Sequence, residues 1–333
     1  MAVTIKDVAR ESGVNISTVS RALNNGYGVN VKTRAHVLAV AGRLSYRPNR
    51  VARGLVTGRS HTLGLLVSDI RNPFFAEVAR GAEDAARAAG CDLVLCNSDL
   101  DAGKQLQYVA SLLEKRVDGI LMNSVAILTR DQQARLAACG VPIVLLNRSA
   151  PNKAFSTVCA DNEAGGRLAA LYLLGLGHRH IAHVTGPRQH GNLSDRGRAF
   201  VRTLETANPP IHPLVVHGRF DFTGGWELTE KLLQEHRKVT AIFAGNDFMA
   251  CGAVRAILDG GLRIPGDISL IGFDDIELSS VIHPPLTTVH QPKYEIGRAA
   301  VEILLRLARD VGQVPEHRLL GVHLIERQSC RHV

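Results

Sequence analysis

The chain has 333 residues, of which 45% are hydrophobic and only 5% aromatic, and a formal charge of +8 at pH 7. That length exceeds what one core supports, so two or three domains are expected in a soluble α/β chain rich in Ala, Val and Leu. No apolar run approaches the ~20 residues of a membrane span, and the six cysteines form neither a CxxC pair nor a zinc spacing; no membrane partner, no metal and no cofactor are expected.

The charge is unevenly placed. Residues 1–59 carry ten Lys and Arg against Asp7 and Glu11, which accounts for the whole excess; the remainder is neutral. A basic head on a neutral body points to a polyanion bound at one end. The start of the chain holds no secretory apolar segment, so a reduced cytoplasm is expected.

Thr4 can cap a short helix with Ile5, Val8 and Ala9 on its apolar face. Gly13 breaks it, and Asn15 can cap a second helix that turns Val19 and Leu23 inward. Asn24-Asn25-Gly26 stops the second helix. Two short helices joined by a glycine turn are the helix-turn-helix pattern, whose second helix enters the DNA major groove; a helical hairpin in an unrelated core is the plainer alternative. Ile16, Ser17 and Arg21 then face outward, and Arg reads guanine in a bidentate way. Residues 30–44 read as a third helix, with Asn30 as cap, Val37, Val40, Ala41 and Leu44 at helical spacing, and Lys32 and Arg34 in reach of phosphate.

Pro48 suits the first turn of a helix, and Val51, Ala52 and Leu55 make a short stripe beside Arg50 and Arg53. About eight residues are too few for a stable isolated helix, and Gly54 weakens it by roughly 1 kcal/mol relative to Ala, so a plain linker is the alternative.

From residue 61 apolar runs alternate with helical stretches. Thr62–Ser68, Asp92–Cys96, Gly119–Met122 and Ile143–Leu146 read as buried strands, with helices over Phe74–Ala89, Gly103–Lys115 and Asp131–Ala138. The pattern restarts after Asp161, with strands near Ile181–Thr185, Leu214–Val216, Ala241–Ala244 and Ser269–Gly272. Helices lie near Ala164–Leu176, Asp195–Thr206, Gly224–Glu235 and Asp247–Gly260. Such βαβ alternation means parallel sheets covered on both faces. Pro284-Pro285-Leu286-Thr287-Thr288 reads as a stiff extended segment.

Ligands of doubly wound sheets sit outside the carboxyl ends of strands. The polar and aromatic residues there are Asn72, Phe74 and Phe75, then Asn147 and Arg148, then Arg196 and Phe220. Asn246, Asp274 and Gln291 complete the set. Amides, carboxylates and arginines suit the hydroxyl fan of a sugar, and aromatic faces suit its C–H side. Each residue alone is also an ordinary cap, turn or core residue. No P-loop, G-x-S-x-G elbow or HExxH occurs, and the fourteen histidines are scattered, so no enzyme is expected.

Val8-Ala9, Gly13-Val14, Thr18-Val19-Ser20-Arg21, Leu23-Asn24 and Tyr46–Leu55 resemble the headpiece and hinge of the lactose/galactose repressor family, and the resemblance runs through nearly the whole chain. It implies an α/β architecture: a three-helix helix-turn-helix headpiece over 1–46, a hinge over 47–59, and a two-lobed, periplasmic-binding-protein-like core of doubly wound parallel sheets over 60–333. Lobe 1 would span about 60–160 and 289–319, and lobe 2 about 161–288 and 320–333. Pro284–Thr288 would cross back to the first lobe, where Tyr294–Arg309 adds a helix, and Leu320–Arg327 would return to the second.

Carried over from the family, the DNA contacts would be Thr4, Asn15, Ile16, Ser17, Thr18, Arg21, Asn24 and Arg34, with Asn49, Arg50, Ala52 and Leu55 in the hinge. Leu55 would wedge between bases in the minor groove, and Gly54 departs from the bulkier residue expected there. The pocket motifs resemble the ribose-binding members, which implies a repressor released from a pseudo-palindromic operator by a ribose-like sugar. A co-repressor mode and a transport-type sugar binder are the alternatives. Asn147 departs from the aspartate expected in ribose binders, which widens the ligand class to another pentose or a hexose. With no leucine heptad tail before Val333, a homodimer is expected.

Overall fold

The computed structural model describes residues 3–24, 26–47, 58–123, 129–147, 154–187, 191–310 and 312–333. The hinge residues Asn49, Arg50, Ala52 and Leu55, and Arg148 of the pocket, lie outside them. The chain divides into two compact units, residues 1–60 and 61–333.

In the first unit three helices, α1 (Ile5–Ser12), α2 (Ile16–Leu23) and α3 (Val31–Arg43), surround a core of Val8, Ala9, Val19, Ala22, Val37, Val40 and Ala41. The helices are short, so their ends decide whether they form. Asp7 accepts hydrogen bonds from the Thr4 amide (3.0 Å) and hydroxyl (2.7 Å). Asn15 Oδ1 accepts from the Thr18 amide (2.8 Å), and Asn30 Oδ1 from that of Thr33 (2.7 Å). Gly13, at φ 66°, makes the left-handed turn between α1 and α2 that a Cβ would strain.

The second unit contains two sheets. The first holds β1 (Thr62–Val67), β2 (Asp92–Asn97), β3 (Gly119–Asn123), β4 (Ile143–Leu146), β5 (Ser156–Ala160) and β11 (His317–Leu320), in the order β11-β5-β4-β3-β1-β2. Its helices are α4 (Pro73–Ala88), α5 (Ala102–Glu114), α6 (Arg130–Ala137) and α12 (Lys293–Arg309). The second holds β6 (Ile181–Thr185), β7 (Leu214–His217), β8 (Ala241–Ala244), β9 (Ser269–Asp274), β10 (Thr287–His290) and β12 (His323–Ile325), in the order β12-β10-β9-β8-β6-β7. Its helices are α7 (Asn162–Gly175), α8 (Gly191–Glu205), α9 (Phe222–Glu235), α10 (Asp247–Asp259) and the short α11 (Leu278–Val281). All pairings are parallel except β10 with β12. Apolar clusters lie on both faces of each sheet, as buried parallel strands require.

The chain passes between the lobes three times: after β5, after β10, and between β11 and β12. Residues 287–290 are thus a strand of the second sheet. The crossing expected at Pro284–Thr288 falls at Gln291–Lys293 instead, because Val289 is buried in the second lobe's core. All three passages leave from the carboxyl end of a parallel strand, which sets the two sheets with those ends facing one another. Lys293, opening α12 of the first lobe, donates to the carbonyls of Asp274 (2.8 Å) and Asp275 (2.6 Å) of the second.

Candidate DNA-reading surface and ligand cleft

On α2 the inward positions are Val19 and Ala22, with Leu23 half-buried, which leaves Ile16, Ser17 and Arg21 exposed on the opposite side. Thr18 is half-buried, its backbone amide held by Asn15, whose Oδ1 also accepts from the Ser17 hydroxyl (2.7 Å). Asn24 Nδ2 donates to the Ser20 carbonyl (2.9 Å) and closes the helix. Thr4 and Asn15 are exposed but serve the helix starts. Arg34 is half-buried, its Nη2 donating to the Gly26 carbonyl (2.9 Å), so it braces the loop between α2 and α3. Among the expected contacts of this unit that fall in the described residues, Arg21 is the exposed cation.

In the second unit the residues expected to bind ligand stand at the carboxyl ends of neighbouring strands. Gln291, Asp274 and Asn246 follow β10, end β9 and follow β8, adjacent in the sheet order. All three are almost wholly buried. Gln291 Nε2 donates to Asp274 Oδ1 (2.5 Å), and Gln291 Oε1 has no partner. Asn246 Oδ1 caps α10 by accepting from the Met249 amide (2.7 Å), and its Nδ2 has no partner.

Arg196, on α8, reaches the same place. Its Nε and Nη2 donate to Asn162 Oδ1 (3.1 and 2.8 Å), and its Nη1 donates to the Gly245 carbonyl and lies 3.9 Å from Asp274. The guanidinium rests 3.3 Å from the centroid of Phe273. Burial drives both ions toward neutrality. It pulls Arg196 down to about 10 against the pull of Asp274 and Asp247. It pushes Asp274 up to about 7 in spite of Arg196 and Lys293. Beneath them, buried Asp247 accepts from Thr288 Oγ1 (2.6 Å), Ser279 Oγ (2.7 Å) and the Ile276 amide (3.0 Å).

On the first lobe, Asn147 follows β4 in the left-handed region at φ 52°, which Asn tolerates. Its Oδ1 is buried without a partner. Asn123, ending adjacent β3, donates to Ser68 Oγ (2.7 Å), the residue that follows β1. Asn72 caps α4 through the Phe74 amide (3.0 Å). Phe74 and Phe75 meet edge to face at 5.1 Å and pack into the first lobe's core. Phe220 is half-buried at the opposite lobe.

Two ion pairs stand at the rim, Arg71 on Asp69 (2.8 Å) and Arg219 on Asp221 (2.6 Å). The bond to Asp69, then the charges of Asp69 and of Asp221 in the other lobe, hold Arg71 more firmly protonated than usual. Sequence reading does not mark Asn162 or these pairs. The available signal was Asp161-Asn162, polar residues directly after a strand that itself reads weakly. Among the described residues no group of His, Cys, Asp and Glu could hold a metal ion, and no helix is long and apolar enough to cross a membrane.

Residues 4–49 match the family model of bacterial regulatory proteins, lacI family, and residues 170–330 that of a periplasmic binding protein-like domain. Catabolite control protein A of Priestia megaterium is 39% identical over 92% of each chain. The ribose operon repressor of Escherichia coli K12 is 38% identical over 98% of this chain and 99% of its own. Among solved structures, the lac repressor dimer bound to operator and the anti-inducer ONPF matches 99% of this chain and 100% of its own, at a TM-score of 0.90 and 32% identity. A regulator from Enterococcus faecium with bound ribose matches 82% of this chain and 99% of its own, at 0.74 and 32%. A helix-turn-helix unit, two parallel-sheet lobes and this degree of identity along the full length agree: the chain belongs to the lacI family of bacterial regulatory proteins, which are transcriptional regulators.

Proposed function

We propose that the protein is a sequence-specific DNA-binding transcriptional repressor, acting in the cytoplasm as a homodimer without catalysis, and released from a pseudo-palindromic operator when a ribose-like sugar binds between the lobes. One observation carries the ligand assignment. Beside the Arg196–Asp274 pair Asn246 Nδ2 and Gln291 Oε1, and at the carboxyl end of the first lobe's β4 Asn147 Oδ1, are buried with unused hydrogen-bonding capacity. A buried polar group without a partner is costly, and an array of two acceptors and one donor with a paired ion matches a set of hydroxyls. The buried Asp274 carboxyl disfavours a phosphorylated sugar, since two anions there would repel. The expected affinity is micromolar, about −8 kcal/mol.

The test is a gel shift of the full-length protein on an operator obtained by binding-site selection, with and without a panel of free and phosphorylated monosaccharides. A neutral pentose or hexose that weakens the shift supports the reading. A sugar that strengthens it establishes the co-repressor sign, and preference for a sugar phosphate overturns the neutral-sugar assignment.

A further inference from the structure

The second lobe contains a cavity of about 500 Å³ apart from the cleft, between α8 and the edge of the second sheet. Its floor is the face of β6 that carries His183 and Thr185, its walls include Gly197 and Val201 of α8 and Val215 of β7, and Arg202 and Glu163 stand 3.8 Å apart at its mouth. This volume lies within the range of small-molecule pockets.

Two polar atoms in it are unused. His183 is 1% exposed and Thr185 4%, and neither His183 Nε2 nor Thr185 Oγ1 has a hydrogen-bond partner. The tautomer of His183 is fixed by what it touches. Nδ1 lies 2.9 Å from the carbonyl oxygen of Phe243, which only accepts, so Nδ1 carries the proton. Burial lowers this imidazole to about 4, so it is neutral at pH 7 and Nε2 presents a bare lone pair. The ring itself is held, stacked on Phe243 at 4.7 Å and 13°. Glycine at 197 leaves the lone pair with no side chain over it, because a Cβ there would lie 3.0 Å from Nε2.

We propose that this cavity is a second ligand site, for a small, uncharged, largely apolar molecule with an O–H or N–H that donates to His183 Nε2. The charge lining the cavity is mixed, Arg198 and Arg202 against Glu163 and Glu205, which selects neither an anion nor a cation. The position of the cavity gives its occupant a route to the cleft: Gly197 follows Arg196 on the same helix, so a ligand against Gly197 and a sugar against Arg196 press on one element.

The test needs neither sugar nor DNA, so its outcome is independent of the function proposed above. Full-length protein is titrated with phenol and with anisole, which has the same ring but no donor. His183 Nε2 is followed by ¹⁵N NMR on histidine-labelled protein. Phenol is expected to bind at least tenfold more tightly than anisole and to move the Nε2 resonance in the direction of an accepted hydrogen bond. Val201→Phe, which fills the cavity, and Gly197→Ala, which covers the acceptor, should each weaken phenol at least tenfold, with melting checked to confirm folding. Equal binding of the two probes, no binding of phenol by the wild type, phenol affinity unchanged in both folded variants, or a crystal soaked in phenol that retains only ordered water in the cavity would overturn the site.

Discussion

Asp274 is buried beside Arg196 and hydrogen-bonded by Gln291, and its native-state pKa of about 7 stands above the unfolded value of 3.8. The native state therefore binds this proton more tightly than the unfolded chain, and its contribution to stability falls as pH rises from about 4 to about 7. Sugar binding should have the opposite slope. Hydroxyls that donate to the carboxyl favour its ionised form, so a proton leaves on binding. Arg196, Lys293 and Asp247 also face this carboxyl; the first two attract the ion and the third opposes it. Sugar Kd should fall by about tenfold from pH 6 to pH 8, with proton release detected by calorimetry in buffers of different ionisation enthalpy. A flat profile would mean that Asp274 does not accept the sugar. Asp274→Ala should leave operator binding intact and abolish the sugar response. On the other unit, Arg21 is the exposed cation on the reading face of α2, whereas Arg34 is committed to Gly26. Arg21→Ala should cost about 1–3 kcal/mol at one base pair and relax preference there; an unchanged binding-site selection would refute the assignment of α2 as reading helix.

At the scale of elements, strands with unbroken aliphatic runs are legible, and β1, β3, β4, β8 and β9 lie close to where periodicity puts them. Strand β5, Ser156-Thr157-Val158-Cys159-Ala160, escapes because its small and hydroxylated residues read as polar, though all five are buried. β10, β11 and β12 escape because Thr-Thr-Val-His, His-Arg-Leu-Leu and His-Leu-Ile offer no unbroken aliphatic run. The capping residues Thr4, Asn15, Asn30 and Asn72 are legible, since a short polar side chain before an apolar run has a local reason. What holds Arg196 is not, because Asn162 is 34 residues distant in the chain and only the packing of α7 on α8 brings them together. That packing depends on Gly166, where a Cβ would lie 2.1 Å from the backbone oxygen of Arg196. Backbone cannot yield as a side-chain tip does, so Gly166→Ala must displace α8. Sugar affinity should fall at least about tenfold, the loss of one good hydrogen bond to a charged group, together with a lower melting temperature. Gly175→Ala on the same helix meets nothing within 4 Å and is the control; it should be neutral or stabilising by up to about 1 kcal/mol. Equal sugar affinity in the two variants would show that α7 does not position Arg196.

At the scale of the whole molecule, the two units have separate cores and separate electrostatics. The first unit's core draws only on residues between Ile5 and Tyr46, and the apolar clusters of the second draw only on residues from Leu63 onward. The formal excess of charge belongs to residues 1–59. Affinity for DNA and its fall with salt should therefore reside in the first unit, since counterion release scales with the cations that meet phosphate. A chain of residues 61–333 should bind sugar within about twofold of the full-length Kd and should not retain operator DNA at any salt concentration. Linkage adds a stricter requirement. In the full-length dimer, the factor by which saturating sugar weakens operator binding must equal the product of the factors by which saturating operator weakens binding at the two sugar sites, each typically about 5–150-fold. In the shortened chain, operator DNA should leave the sugar Kd unchanged. Loss of sugar binding on removing residues 1–60 would place part of the site in the first unit. A departure from that product would mean that the operator-bound species does not carry two sugar sites.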